Sequence, residues 1–238
     1  MSGTVTIPSG GATSISLSFG NAANKALATS IANAIAFTSV HGGNLVIGNV
    51  TGSGGAGPAF AANTVAGTVG ELIIPAGYTG KVSVGAGDGY SYVIDESVGS
   101  DTIFGFPGVS IAAGGGTHTI VDPAAIVLGD TAAGSTNNIT LTGLDSPYNV
   151  AVGNGLNTVT GSGSGTISGG TGTNLFDVSG AGAGTSNMIN SQGSSDTVKA
   201  GGGYVLDSEL DVASTLRRDV SRWNRERGSQ QQRFQQPL

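Results

Sequence analysis

The segment GAGDGYSYVIDESVGSD at residues 85–101 gathers Asp88, Asp95, Glu96 and Asp101 among glycine turns. A Gly-Asp-Gly turn exposes backbone carbonyls beside a carboxylate, and calcium takes about six to eight such hard oxygen donors. The chemistry this spacing suggests is cation binding, although a single Asp in such a turn is also an ordinary turn former. Catalysis has less to draw on. His41 and His118 are the only imidazoles, and neither sits in a nucleophile-associated or metal-spaced cluster. Polysaccharide lyases on parallel β-helices need basic residues beside a carboxylate, yet residues 82–198 contain neither Lys nor Arg. The expectation is a protein that is not an enzyme, with no catalytic residues and no organic cofactor.

The elements that must position these residues are short β runs between glycines. They include NLVIGNV, ELIIP, KVSVG, YSYVI, DTIFG, NITLT, NTVTG and LFDVSG. Forty-three of 238 residues are glycine, more than twice the ordinary ~7 %. From Val93 the apolar anchors run Ile103, Ile111, Ile120, Val127, Ile139, Val150, Val159, Ile167, Phe176, Met188 and Val198. Two steps make about 19 residues, close to the 18 of a two-nonapeptide coil. That period predicts an all-β chain, an irregular parallel β-solenoid of the β-roll or β-helix type. Its strands would stack about 4.8 Å apart along the long axis.

The turns carry a recurring G-x-G-x-polar-x-apolar unit. It reads Gly153-Asn154-Gly155-Leu156-Asn157-Thr158-Val159, Gly170-Thr171-Gly172-Thr173-Asn174-Leu175-Phe176 and Gly114-Gly115-Gly116-Thr117-His118-Thr119-Ile120. Related forms end in Asp101-Thr102-Ile103 and Asp196-Thr197-Val198. Over roughly residues 85–200 this resembles the hemolysin-type calcium-binding (RTX) repeat and its degenerate relatives in bacterial secreted proteins. The resemblance implies calcium held between successive coils by the Asp of the unit and by turn carbonyls. Carried over, it adds Asn157, Asn174 and Asp196 to Asp88, Asp95 and Asp101 as candidate calcium ligands, with His118 standing at the same position of its unit. The unit is Asp only at 101 and 196, which argues against an ion in every coil. Asn in such turns also suits a left-handed backbone and an amide ladder stacked along the axis.

Three regions follow. Residues 1–43 combine two alternating runs around Pro8-Ser9-Gly10-Gly11 with one amphipathic helix, expected to cover one face of the body or cap one of its ends. That helix enters through Asn21, carries Leu27, Ile31, Ala34 and Ile35 on one stripe, and stops before Gly42-Gly43. Residues 44–206 are the solenoid body. Residues 207–238 begin with a capping-box pattern, Ser208 with Asp211, and place Val212, Leu216, Val220 and Trp223 on a stripe. These features predict a C-terminal helix over 208–227 and an Arg/Gln-rich tail.

Charge is divided unevenly. Residues before 207 hold three Lys against ten acids, and the remainder holds six Arg against five, within a net charge of −6. An acidic body disfavours nucleic acid and anionic membrane surfaces, and no apolar run is long enough to insert in a bilayer. The N-terminus lacks the charged and apolar regions of a signal peptide. The sequence therefore points to a structural extracellular or cell-surface protein, exported without a cleaved N-terminal signal. It would self-assemble as a homo-oligomer or filament into a fibre or biofilm matrix, with calcium as stabiliser. The alternative is a binding module, a surface adhesin for extracellular polysaccharide or an ice-binding face. Thr117/Thr119, Thr140/Thr142 and Thr158/Thr160 resemble the Thr ladders of ice-binding solenoids, and Thr also simply favours exposed strand faces.

Overall fold

A computed structural model describes residues 3–8, 14–19, 22–40, 44–52, 60–114, 116–122, 125–128, 136–141, 147–191, 195–207 and 215–218. The N-terminal alternation forms an antiparallel hairpin, β1 (Gly3–Pro8) with β2 (Ser14–Phe19), followed by α1 (Ala22–Val40). After it, successive strands go alternately to two parallel sheets. One holds β3 (Leu45–Asn49), β4 (Val69–Ile74), β6 (Tyr90–Asp95), β8 (Ser110–Ala113), β10 (Ala125–Leu128), β12 (Tyr148–Ala151), β14 (Gly165–Ser168), β16 (Ser186–Asn190) and β18 (Tyr204–Asp207). The other holds β5 (Gly80–Ser83), β7 (Ser100–Phe104), β9 (Thr117–Val121), β11 (Thr136–Leu141), β13 (Leu156–Gly161), β15 (Thr173–Val178), β17 (Thr197–Ala200) and β19 (Thr215–Arg218). The result is a β-solenoid of about seven turns.

Pairing is parallel throughout the body, and each sheet sends a column of apolar residues inward. The nine-stranded sheet supplies Leu72, Val93, Ile111, Ile126, Val150, Ile167 and Ile189 in continuous register. The eight-stranded sheet supplies Val82, Ile103, Ile120, Ile139, Val159, Phe176 and Val198. All are buried in one core cluster. β-Branched side chains suit this interior because their restricted rotamers stack well against identical neighbours on a pleated surface.

Two predicted anchors are off by one residue. The register places Ile126, not Val127, between Ile111 and Val150. Likewise Ile189 pairs with Ile167, while Met188 faces outward with 47 % of its surface exposed. In both places two apolar residues are adjacent, and with a side-chain period of two only one of them can face the core.

The C-terminal region also departs from expectation. Thr215–Arg218 is strand β19 rather than part of a helix, and it pairs with β17 so that Leu216 lies opposite Val198. A helical stripe and a strand position in register with Val198 compete for the same Leu. The open edge of β17 offers a full row of backbone partners that an isolated helix would have to replace by itself. The rest of the predicted 208–227 helix lies outside the described residues.

The hairpin and α1 cover the outer face of the nine-stranded sheet rather than an end of the coil. Val5, Ile7, Ile15 and Leu17 from the hairpin and Ala28, Ile31, Ala32 and Ile35 from the helix share a second cluster with Ile94, Ala112 and Ala151. The buried helix stripe keeps Ile31 and Ile35 from the predicted one and adds Ala28 and Ala32, while Leu27 and Ala34 are half-buried and Leu27 packs against the same cluster. Small residues on both partners let the helix axis approach the sheet closely. Among the described residues, no helix is long and apolar enough to cross a membrane.

The register generates a sharp contrast. Replacing buried Ile189 by Asn leaves a cavity and a buried amide, and we expect a loss of about 3–4 kcal/mol in urea unfolding. The same replacement at neighbouring Met188 is expected to change stability by less than about 0.5 kcal/mol. Equal effects at the two positions would contradict the assigned register.

Candidate functional site

Along the eight-stranded sheet from β7 to β17, the residue two before each apolar anchor also faces inward. From one coil to the next these positions hold Asp101, His118, Asn137, Asn157, Asn174 and Asp196. All six are buried. They lie just after the corner where the chain enters the sheet, so a single column of polar side chains runs inside the solenoid along its axis.

The lower part of this column is an amide ladder. Asn137 Nδ2 donates to Asn157 Oδ1, Asn157 Nδ2 to Asn174 Oδ1 and Asn174 Nδ2 to Asp196 Oδ1, each at 2.8 Å. The second amide hydrogen stays within its own coil. Asn157 gives it to Gly153 O at 2.9 Å, and Asn174 gives it to Gly170 O at 3.2 Å. The glycines of the G-x-G unit make this possible by letting corners nest. A Cβ on Gly170 would lie 2.4 Å from Gly153 O, and one on Gly172 would lie 2.1 Å from Gly155 O. No side chain fits between these coils.

The upper part is different. Asp95 ends β6 and Asp101 opens the second residue of β7, so the corner between the two sheets brings their carboxylates together. His118, one coil further on, is the register partner of Asp101. Its Nδ1 lies 2.9 Å from Asp101 Oδ1 and 3.2 Å from Asp95 Oδ2. The remaining carboxylate oxygens are tied to the turn. Ser97 N donates to Asp95 Oδ1 at 2.9 Å, and Ser97 Oγ donates to Asp101 Oδ2.

Electrostatics divides the three groups. Burial disfavours the charged imidazole, but the hydrogen bond to Asp101 and the negative charge of both Asp101 and Asp95 outweigh it, and His118 is pushed up to about 10. Burial likewise pushes the Asp95 carboxyl above the usual range. It acts in the same direction on Asp101, where hydrogen bonds from His118 and Ser97 prevail and hold the carboxyl low. At neutral pH the triad is a cation locked against carboxylate oxygen, in a place where water does not reach.

The residues singled out in the sequence therefore separate into three places. Asp95 and Asp101 meet each other and His118. Asn157, Asn174 and Asp196 meet in the ladder, where their side-chain groups are engaged by neighbouring coils. Asp88 stands apart, closing a 3₁₀ turn (Ala86–Asp88) by accepting from Gly85 N at 2.7 Å. Sequence reasoning missed Asn137 and Ser97. Asn137 carries the same signal as the others, a polar residue two before an inward anchor, but the flanking G-x-G that marks the other Asn turns is missing before it. Ser97 acts through a corner that only the fold assembles.

Compared with known protein families, curated proteins and solved structures, the chain matches none of them. What the column can do is therefore argued from its own geometry.

Asn157→Ala removes a donor to Asn174 and to Gly153 and an acceptor for Asn137, all buried. We expect a destabilisation of about 3 kcal/mol in urea unfolding, because each stranded group costs about 1–3 kcal/mol. A loss below 1 kcal/mol would show that water already serves these groups.

Proposed function

We propose that the chain is a structural, non-enzymatic subunit that joins end to end with copies of itself into an extracellular fibre or matrix. The observation that carries this reading is the strand order. Both sheets run strictly in sequence order, from β3 and β5 at one rim to β18 and β19 at the other. In a parallel coil the edge exposed at one rim is the edge that the opposite rim would pair with, so the two ends are complementary by construction. Head-to-tail contacts of this kind do not close on themselves and give filaments. Acidic turns such as that of Asp88 offer calcium a place to bridge neighbouring bodies of like charge. Light scattering coupled to size exclusion, with electron microscopy, tests this in millimolar calcium and in chelator. Elongated multimers that grow with calcium are expected, and a strictly monomeric species under both conditions would remove the assembly reading.

A second reading has its own observation. The outward face of the eight-stranded sheet carries threonine in aligned columns. Thr102, Thr119, Asn138 and Thr158 form one, Thr117 with Ser100 and Thr136 and Thr173 with Leu156 form the next, and Thr140 pairs with Thr160 in a third. None of these threonines is buried. They form a grid of hydroxyls and methyls spaced about 4.8 Å along the axis and about 6.6 Å along each strand. Such a grid suits an ordered hydroxylated lattice, ice or a polysaccharide fibre. Thr142, which belongs to the same sequence pattern, lies outside the described residues. Replacing Thr119 and Thr158 together by Lys should abolish thermal hysteresis or polysaccharide pelleting without unfolding the coil. A wild-type protein active in neither assay would end this reading.

A further inference from the structure

We propose that Asp95, Asp101 and His118 form a buried site for one small divalent cation of the zinc class, ligated through Asp95 Oδ2, Asp101 Oδ1 and His118 Nδ1. The first argument is a buried oxygen without a hydrogen-bond partner. Nδ1 carries one hydrogen and directs it to Asp101 Oδ1. Among the described residues Asp95 Oδ2, fully buried and aimed at the same nitrogen, has no hydrogen-bond donor. Three atoms able to ligate a cation converge there, and one of them lacks a hydrogen-bond partner.

The second argument is distance. The three ligand atoms lie within 4.8 Å of one another, and the two contacts of Nδ1 are 3.2 and 2.9 Å. Zinc bonds of about 2.0–2.2 Å in a tetrahedron put neighbouring ligands about 3.3 Å apart. Seating the ion requires Asp101 Oδ1 to swing off the Nδ1 axis while both carboxylates stay beside the imidazole. Binding releases the Nδ1 hydrogen to solvent and keeps the one on Nε2, so a divalent ion, two carboxylates and a neutral imidazole sum to zero charge, and one water carried in with the ion would complete the tetrahedron.

The third argument is ligand type. Calcium takes about six to eight oxygens and has little use for imidazole nitrogen, whereas imidazole with carboxylate suits zinc and its neighbours. Ser97 already holds the outer oxygens of both carboxylates through its backbone N–H and its hydroxyl. This is the outer support that orients metal-bound carboxylates. The ion would cross-link the corner 95–101 to the following coil. Its role would be structural, independent of whether subunits assemble.

The test uses untagged full-length protein refolded with zinc, cobalt or calcium chloride, then desalted and assayed for metal. The expected result is one zinc per chain, a cobalt visible spectrum of tetrahedral intensity, and a melting temperature raised by zinc but not by calcium. His118→Asn puts an amide where the ladder would accept one, and it should fold while losing about 100-fold or more in zinc affinity. If that variant does not fold, Asp95→Asn serves in its place, and the cobalt spectrum of the wild type decides independently. Sub-stoichiometric zinc in the wild type, calcium held as tightly as zinc, or zinc retained by a folded His118→Asn would each overturn the site.

Discussion

The structure depends on one requirement: a polar side chain facing the interior of a coil must find its partner one coil away. Water does not reach the column, and an unmet amide or carboxylate there costs more than most single apolar contacts supply. The strand repeat of about 4.8 Å brings one side-chain amide within hydrogen-bond reach of the next. A backbone ladder alone tolerates slippage, because every residue offers the same N–H and C=O. The column does not, since a one-residue shift would carry Asn157 to the outer face and an outward Leu or Thr into its place. Register in this irregular solenoid is therefore held by side chains, while the laps themselves vary in length.

That division explains what could be seen in the sequence. Period and strand direction were legible because aliphatic anchors and glycine corners both recur near the nonapeptide step. The polar column was visible where a G-x-G corner announced it, at Asn157 and Asn174, and hidden at Asn137, where the corner is built otherwise. Adjacent apolar pairs, Ile126-Val127 and Met188-Ile189, left the inward residue ambiguous because hydrophobicity alone does not state which face a strand shows. The meeting of Asp95 with His118 was not legible at all. It joins one sheet to the next coil of the other, and only the lap length decides which residues meet. Thr215–Arg218 misled for a related reason, since a short apolar spacing fits both a helix stripe and the next strand position in register with β17, and tertiary pairing decided.

The two outer faces are treated in opposite ways. On the nine-stranded sheet, Ala112 and Ala151 with Ile94 accept the hairpin and α1, so that face becomes a second core. On the eight-stranded sheet threonine is the commonest outward residue among the described strands, with Asp177 and Lys199 paired at 3.2 Å near the far rim. Hydroxyls bond water readily while their methyls stiffen the strand. A body with one face covered and the other hydrated has its lateral contacts already assigned, which leaves the rims and the Thr grid as the surfaces on which function can act.

The column also has a direction, and its ends fix it. As a carboxylate, Asp196 can only accept, so Asn174 must present its amide nitrogen to it. That commits the Asn174 oxygen to Asn157, and so on up to Asn137. Asn137 Oδ1 then takes the backbone N–H of His118, at 3.4 Å, rather than a side-chain donor. The His118 ring is thereby released from the ladder and turned toward Asp95 and Asp101. An acceptor-only residue at one end thus propagates through four coils and leaves, at the other end, an imidazole nitrogen facing two carboxylates. The amide ladder and the triad are one device, in which the hydrogen-bond order of the first dictates the chemistry available to the second.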